Sequence, residues 1–428
     1  MFIHEEIKSV RLLHVVGDSR FGGAARIILR LGQAVKDFGW EVDVLTTDPV
    51  FQQAVIQHGL GVVNLDVIRR EIRPIWDLAG LVRLRNFLRR QPYRIVHTHT
   101  SKAGFVGRLA ARLAGVPVIV HTAHGFAIHE RSPIAVRLFY STLERVASRW
   151  CDRIVSVSEF HRQWALELRM CTPAKIVTIP NGVTDASPNP EISTTGLRHR
   201  LGARPGDFLI LSMSRLSADK GIDYLIEAAA MLNQTGFRFR VVIAGDGPVR
   251  ARLEQQARKL GVAERVIFVG HREDVSDLLT ACDVVVLASL REGLSMTLLE
   301  AMAAGKPIIA TSIGSQRELA SQADMARLVP PCNASALCKA ILQLAREPAL
   351  MTHLAMNARA LFENCYTENR MLNAYKELYL HLLKVNCGKG ADTAGCGRVS
   401  LFTGSRAPAN PDYQGFVCAP RQPKAGRL

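Results

Sequence analysis

The stretch that most constrains the fold is Val284-Val285-Val286-Leu287-Ala288-Ser289-Leu290-Arg291-Glu292-Gly293-Leu294-Ser295-Met296-Thr297-Leu298-Leu299-Glu300-Ala301-Met302-Ala303-Ala304-Gly305. A β-branched apolar run meets a glycine turn, then a serine suited to cap a helix, then helix formers that stop at Gly305-Lys306-Pro307. The expected unit is strand, turn, helix, with Glu292 in the turn. A helix start carries backbone N–H groups without intrahelical partners. Around Gly293, Leu294, Ser295, Met296, Thr297 and Leu298 these groups and the helix dipole would favour a phosphate. Glu300 falls beyond the first turn, where the dipole no longer favours negative charge, and a carboxylate there suits ribose or sugar hydroxyls. Taken alone, the two acids also read as a solvated loop carboxylate and an exposed helix carboxylate.

The same unit recurs along the chain. Apolar runs at 10–16, 41–47, 94–97, 116–121, 208–216, 239–244, 266–272 and 308–312 alternate with helix-periodic segments. That alternation predicts an α/β fold of parallel sheets covered on both faces. With 428 residues the chain is long enough for two domains with cores of their own. The expected boundaries are a first domain over 1–185, a linker over 186–206 rich in Pro, Ser, Thr and Gly with a short helix, and a second domain over 207–365. A helical segment follows over 366–386, part of a helical pattern expected from 355 to 384. Residues 387–428 gather Gly, Pro, Ala and Arg without periodicity and are expected to be disordered.

Composition narrows the partners. The nine cysteines are scattered and include no Cys-x2-Cys pair, suggesting neither a disulfide framework nor a zinc site and favouring a reducing cytoplasm. No window of 18 apolar residues occurs, and the opening residues lack the pattern of a signal peptide. The net charge of +16 is concentrated up to Asp185, where 25 Lys and Arg face 16 Asp and Glu. Such a surface attracts nucleic acid, anionic lipid or phosphorylated substrates. With 6% aromatic residues and no recognisable nucleic-acid module, a nucleic-acid partner is not expected. The segment from Trp76 to Arg90, with Arg83, Arg85, Arg89 and Arg90, reads as a basic amphipathic helix, either packed on the sheet with a solvated basic face or touching an anionic bilayer.

Several strand ends carry candidate site residues. Gly22-Gly23 lies at a strand-to-helix turn and would let backbone approach a ligand, although the spacing is not Gly-x-Gly-x-x-Gly. Four histidines, His97, His99, His121 and His124, fall at the carboxyl edge of the first sheet, where open α/β sheets bind ligands. His97-x-His99 could suggest a metal, but no carboxylate or cysteine joins it at ligand spacing, so no metal is expected. Arg215 and Lys220, five apart across a strand end and a turn, could bring two cations onto one diphosphate, or each could be a surface charge.

Glu292-x7-Glu300, within Arg291-Glu292-Gly293 and Leu299-Glu300-Ala301-Met302-Ala303-Ala304-Gly305-Lys306-Pro307, resembles the signature of retaining glycosyltransferases of the family 4 type, which have the GT-B fold. His124-Gly125, Gly22-Gly23, Cys151-Asp152-Arg153-Ile154-Val155-Ser156-Val157-Ser158-Glu159 and Ile179-Pro180-Asn181-Gly182-Val183 match further landmarks in order, so the resemblance covers about residues 10–385. It implies two Rossmann-like domains facing each other across a cleft, with a terminal helix crossing back to the first. The donor would lie in the second domain and the acceptor mainly on the first.

By the same resemblance, Glu292 faces the donor sugar and Glu300 holds the ribose hydroxyls. Arg215 and Lys220 bind the diphosphate and stabilise it as it leaves. His124 lies near the anomeric carbon, and Gly22 and Gly23 near the donor phosphate and the acceptor. Backbone around Gly270, His271 and Arg272 reads the base. Ser312 and Ser315 stand where the commoner form has Asp and a second Gly, a departure that bears on donor choice. The chain has no Asp-x-Asp, so neither metal nor cofactor is expected.

The implied activity is transfer of a hexose or N-acetylhexosamine, with retained configuration, from a nucleotide diphosphate sugar. The donor is expected to be UDP-linked and the acceptor a lipid-linked glycan or polysaccharide of the cell surface, such as lipopolysaccharide. The implied place is the cytoplasm, peripheral at the inner face of the plasma membrane. A nucleotide-sugar 2-epimerase, which shares the two-domain fold, and a non-catalytic nucleotide-sugar binding protein are the alternatives.

Overall fold

A computed structural model describes residues 10–18, 21–69, 73–130, 132–185 and 193–387. The expected start of the chain, most of the linker before its short helix, and the tail after Cys387 lie outside the described residues.

The described residues divide into two compact units, one of those up to Asn181 together with 369–387, the other of those within Gly182–Glu368. In the first unit the strands are β1 (Arg11–Gly17), β2 (Glu41–Thr46), β3 (Gly61–Val63), β4 (Tyr93–His99), β5 (Val118–Ala123), β6 (Arg153–Ser156) and β7 (Ile176–Thr178). They form one parallel sheet in the order β3-β2-β1-β4-β5-β6-β7. The second unit holds β8 (Phe208–Met213), β9 (Phe239–Ala244), β10 (Val266–Gly270), β11 (Val284–Leu287), β12 (Ile308–Thr311) and β13 (Arg327–Val329), parallel in the order β10-β9-β8-β11-β12-β13. Each unit is a Rossmann-like doubly wound sheet. Strand order reverses between β1 and β4 in one and between β8 and β11 in the other, and in such sheets ligands bind at the carboxyl ends beside that reversal.

The apolar runs became strands because both faces are covered. Leu12, Leu13, Val15, Ile95, Val96, Ile119 and Val120 are buried in the first sheet, and Ile210, Leu211, Val241, Ile243, Val285, Val286 and Ile309 in the second. Continuous apolar runs are what a parallel sheet buried on both faces requires. The three-residue strands β3, β7 and β13, which the sequence reading did not single out, are all edge strands, too short to show a pattern.

Two helical expectations change in detail. The pattern at 355–384 is two helices, Pro348–Cys365 and Glu368–Cys387, broken where Val183 N–H donates to the Tyr366 carbonyl (3.1 Å) and Glu368 N–H to the Val183 carbonyl (3.0 Å). The second of these packs in the first unit, where Tyr379 meets Trp40 and Lys376 lies over the Phe38 ring. The basic helix is Pro74–Arg90, seated on Gly80, Leu84 and Leu88. Gly80 allows that seat, since a Cβ there would lie 2.1 Å from the Val67 carbonyl oxygen. Its other face is not purely basic, for Ile75, Trp76, Leu78 and Val82 are exposed.

Among the described residues no helix is long and apolar enough to cross a membrane. Cys151, Cys171, Cys282, Cys332 and Cys338 are free thiols, and Cys365 is disulfide-bonded, which the cysteine spacing did not anticipate.

Candidate active site

The second unit brings its strand exits together through backbone. Ser214 N–H donates to the Ala244 carbonyl, Leu216 N–H to Asp246, Gly245 N–H to Gly270 and Leu290 N–H to Asp219, all within 3.0 Å. Glycine is required at two of these crossings. Gly221 has φ +61° and a Cβ there would lie 2.2 Å from the Ala288 carbonyl oxygen; Gly245 has φ +142° and a Cβ would lie 1.9 Å from that of Ser214. The turn carrying Lys220 is thus locked against the exit of β11.

At that exit Lys220 Nζ donates to Glu292 Oε1 at 2.5 Å, and Ser289 Oγ donates to the same oxygen at 2.8 Å. The pair is sheltered, with 19% and 13% of the two side chains exposed. Glu292 Oε2 accepts no bond among the described residues. Ser315 Oγ donates to the Glu292 main-chain carbonyl at 3.4 Å, so the serine that departs from the commoner form braces the turn. Thr311 Oγ1 donates to the Ser289 carbonyl and lies 3.2 Å from Gln316 Oε1, tying the exit of β12 to that of β11.

Ser295 caps the helix Met296–Ala303, its side chain accepting from Leu298 N–H at 3.4 Å, and Thr297 Oγ1 donates to the Met213 carbonyl at 3.0 Å. The helix start therefore sits beside the exit of β8, at the reversal between β8 and β11. Its first-turn N–H groups provide partial positive charge there. Glu300 is half-buried one turn further on, Gly293 is half-buried and Leu294 buried. Arg215 is exposed at the exit of β8. Gly270 ends β10 with φ +71°, and His271 beyond it is exposed. The Arg272 guanidinium is engaged by Asp274 at 2.5 and 2.7 Å. Arg215, Lys220, Gly270, His271, Arg272 and residues 292–300 thus lie along one sheet edge.

The remaining predicted residues belong to the first unit. Gly22 precedes the helix Gly23–Asp37 in extended conformation, and both glycines are exposed just past β1. His124 follows β5 and is half-buried. His14 on β1, absent from the sequence argument, joins His97 and His99 of β4 and His121 of β5 in the interior. Its one sequence signal is a lone polar residue inside the apolar run Leu12-Leu13-His14-Val15-Val16.

Burial pushes the His14 imidazole down to about 3 and His124 to about 4, and it holds His97, His99 and His121 well below the ordinary value, assisted by their mutual repulsion. A third histidine, neither a carboxylate nor a cysteine, joins His97 and His99 in three dimensions, for nitrogens of His14, His97 and His99 lie within 4.8 Å of one another. Both nitrogens of His97 and of His99 are engaged within the protein, and of His14 only Nδ1 is. His97 bonds the Tyr379 hydroxyl at 2.6 Å and Thr122 at 2.7 Å, and His14 bonds His99 at 2.9 Å.

Comparison with known proteins gives two family matches. Residues 22–182 match a glycosyl transferase 4-like domain, and residues 194–361 match glycosyl transferases group 1. The chain is 31% identical over 348 residues to "Putative glycosyltransferase EpsD" of Bacillus subtilis (strain 168), covering 79% of this chain and 90% of that protein. It is 27% identical over 378 residues to the Escherichia coli UDP-Gal:alpha-D-GlcNAc-diphosphoundecaprenol alpha-1,3-galactosyltransferase, covering 87% and 97%. Among solved structures, Anabaena HepE in complex with UDP-glucose superposes with a TM-score of 0.73 at 23% identity, over 86% of this chain and 99% of that one. WaaG, a glycosyltransferase involved in lipopolysaccharide biosynthesis, gives 0.69 at 19%, over 86% and 99%. These two likenesses establish the GT-B fold.

Proposed function

The chain belongs to the glycosyltransferases of the family 4 type, and from that premise we propose that it transfers a hexose or N-acetylhexosamine from a UDP-linked donor to a lipid-linked glycan, with retained anomeric configuration. The observation that carries the donor site is the sheltered contact of Lys220 with Glu292 beside the start of the helix Met296–Ala303, at the reversal of the sheet.

The donor's diphosphate would lie against the first-turn N–H groups, between Lys220 and the exposed Arg215. Glu300 would take the ribose hydroxyls, backbone at Gly270, His271 and Arg272 the base, and Glu292, through Oε2, a hydroxyl of the sugar. Charge developing on the leaving phosphate is met by fixed cations and dipoles that need no rearrangement. The chain then needs no metal for this step, and in front-face transfer the departing phosphate oxygen takes the acceptor's proton, so no protein nucleophile is required. Gly22, Gly23 and His124 are assigned to the side of the sugar and acceptor. Similarity to a protein named for a diphosphoundecaprenol substrate supports a polyprenyl-diphosphate acceptor.

A lipid acceptor implies a membrane surface, and the first unit offers one. Exposed Ile75, Trp76, Leu78 and Val82 lie on a helix with exposed Arg83, Arg89 and Arg90, and Ile134, Leu138 and Phe139 are exposed on the helix Ile134–Ala147. Apolar side chains flanked by arginine suit the interface of an anionic bilayer. We therefore assign the protein to the cytoplasm, at the inner leaflet. Sedimentation with vesicles of phosphatidylglycerol and phosphatidylcholine tests this. Binding is expected to weaken with salt and on Trp76→Glu.

The donor site is tested with Lys220→Ala and Glu300→Ala, assayed with UDP-glucose, UDP-galactose and UDP-N-acetylglucosamine for binding and for transfer to polyprenyl-diphosphate sugars. Lys220→Ala is expected to lower transfer about 10²-fold, and Glu300→Ala to weaken donor binding. Wild-type behaviour in both refutes the site. Donor incubated alone is expected to return unchanged.

A further inference from the structure

Three imidazoles of the first unit form an unbranched hydrogen-bonded chain. His14 Nδ1 lies 2.9 Å from His99 Nε2, and His99 Nδ1 lies 3.1 Å from His124 Nε2. A neutral imidazole carries one N–H and one bare nitrogen. Each contact must therefore pair an N–H with a bare nitrogen, and because His99 sits in the middle the whole chain points one way or the other.

If His14 leads, all three protons sit on Nδ1. The chain then begins at a bare His14 Nε2, and His124 presents Nδ1–H beyond the chain. If His124 leads, all three sit on Nε2, His14 ends the chain with Nε2–H, and His124 presents a bare Nδ1.

The buried end decides between them. His14 is fully buried, and its Nε2 meets no hydrogen-bond partner among the described residues. A buried N–H without an acceptor costs the full desolvation of a donor and is rarer in proteins than an acceptor short of a bond. The first polarity leaves only the bare nitrogen there. The His99 and His124 rings stack at 5.3 Å with 24° between their planes, which holds the last link in orientation.

We propose that His14 and His99 are positioning residues that lock His124 in its Nδ1–H tautomer, so that His124 meets its ligand as a hydrogen-bond donor and not as a base. What His124 donates to rests on the sugar-transfer reading: Nδ1–H is complementary to a hydroxyl oxygen of the donor sugar. It cannot accept the acceptor's proton, which is consistent with that proton going to the departing phosphate. The tautomer assignment stands apart from that reading.

The test is the tautomer itself. The full-length protein, with 15N in its histidine rings and without sugar nucleotide, is examined at pH 7.5 by long-range 1H–15N correlation. Resonances are assigned from their loss in H14Q, H99Q and H124Q. Free histidine favours Nε2–H, so the expected pattern, Nδ1–H at His14, His99 and His124 together, is not the default. Nε2–H or a mixture at His124 in the wild-type protein overturns the proposal, and the only variant this reading requires is a folded H124Q, which assigns the resonance.

The second arm compares His99→Leu, which removes the donor to His124, with His99→Gln, whose amide can replace it. The expected result is reversion of His124 towards Nε2–H in the first and retention of Nδ1–H in the second. An unchanged His124 in folded His99→Leu shows that His99 does not position it. If no UDP-sugar is turned over by the wild-type protein, the proposed function fails while the tautomer result is unaffected.

Discussion

Glu292 and Lys220 show how one contact can set the character of a site. Oε1 receives both the lysine ammonium and the Ser289 hydroxyl, so its orientation is fixed, and Oε2 accepts no bond among the described residues. A glutamine keeps the shape and one acceptor but removes the charge that balances Lys220. Glu292→Gln is therefore expected to lower kcat about 10²-fold while UDP binds no more weakly, read by steady-state kinetics and calorimetry. A loss confined to UDP affinity would place Glu292 at the nucleotide. The pair itself was legible only as two separate charges, because a separation of 72 positions says nothing about distance until β8 and β11 are known to be neighbours.

At the scale of the element, the helix Met296–Ala303 depends on its cap. Ser295→Ala removes the acceptor for Leu298 N–H and is expected to lower stability by about 1 kcal/mol, measured as a shift in urea midpoint with unchanged slope. Loss of donor affinity beyond that shift would show that the first turn also holds a ligand. The turn at Gly245 is less forgiving. Its φ of +142° and the Ser214 carbonyl oxygen 1.9 Å from a would-be Cβ mean that Gly245→Ala must move backbone, at a cost above about 2 kcal/mol. Circular dichroism melts of the two variants should rank them in that order. Both elements were readable in the sequence, since a serine before helix formers and glycines after apolar runs are local signals. The contact that makes Gly245 obligatory is not local and was invisible.

At the scale of the whole molecule, the buried histidines make the first unit sensitive to acid. In the unfolded chain their pKa is about 6.5, whereas in the folded protein His14 lies at about 3 and His124 and His161 at about 4, with His97, His99 and His121 also depressed. As pH falls below about 6.5 the unfolded chain binds protons first. Stability is complete above that value and declines through the window down to the folded pKa values, each imidazole contributing about 1.4 kcal/mol per pH unit. The melting temperature is expected to drop between pH 7.5 and pH 5.5, and His121→Gln to flatten that dependence. A melting temperature independent of pH would contradict the buried neutral cluster.

What the sequence determined by itself was periodicity and local chemistry. Alternating apolar runs and helix patterns specify two parallel sheets, and a cap, a glycine turn and two carboxylates eight positions apart single out one strand end among the others. Such features act over a few residues, and so can be read along a line. The tertiary structure decided which strand ends are neighbours. Strand order placed β8 beside β11 and so Lys220 on Glu292, and β1 beside β4 and so His14 on His99. It also decided which side chains lose water, and with it the charge state of the four histidines that β1, β4 and β5 bury, His14, His97, His99 and His121. Neighbourhood and desolvation are properties of the packed sheet, and no spacing along the chain encodes them.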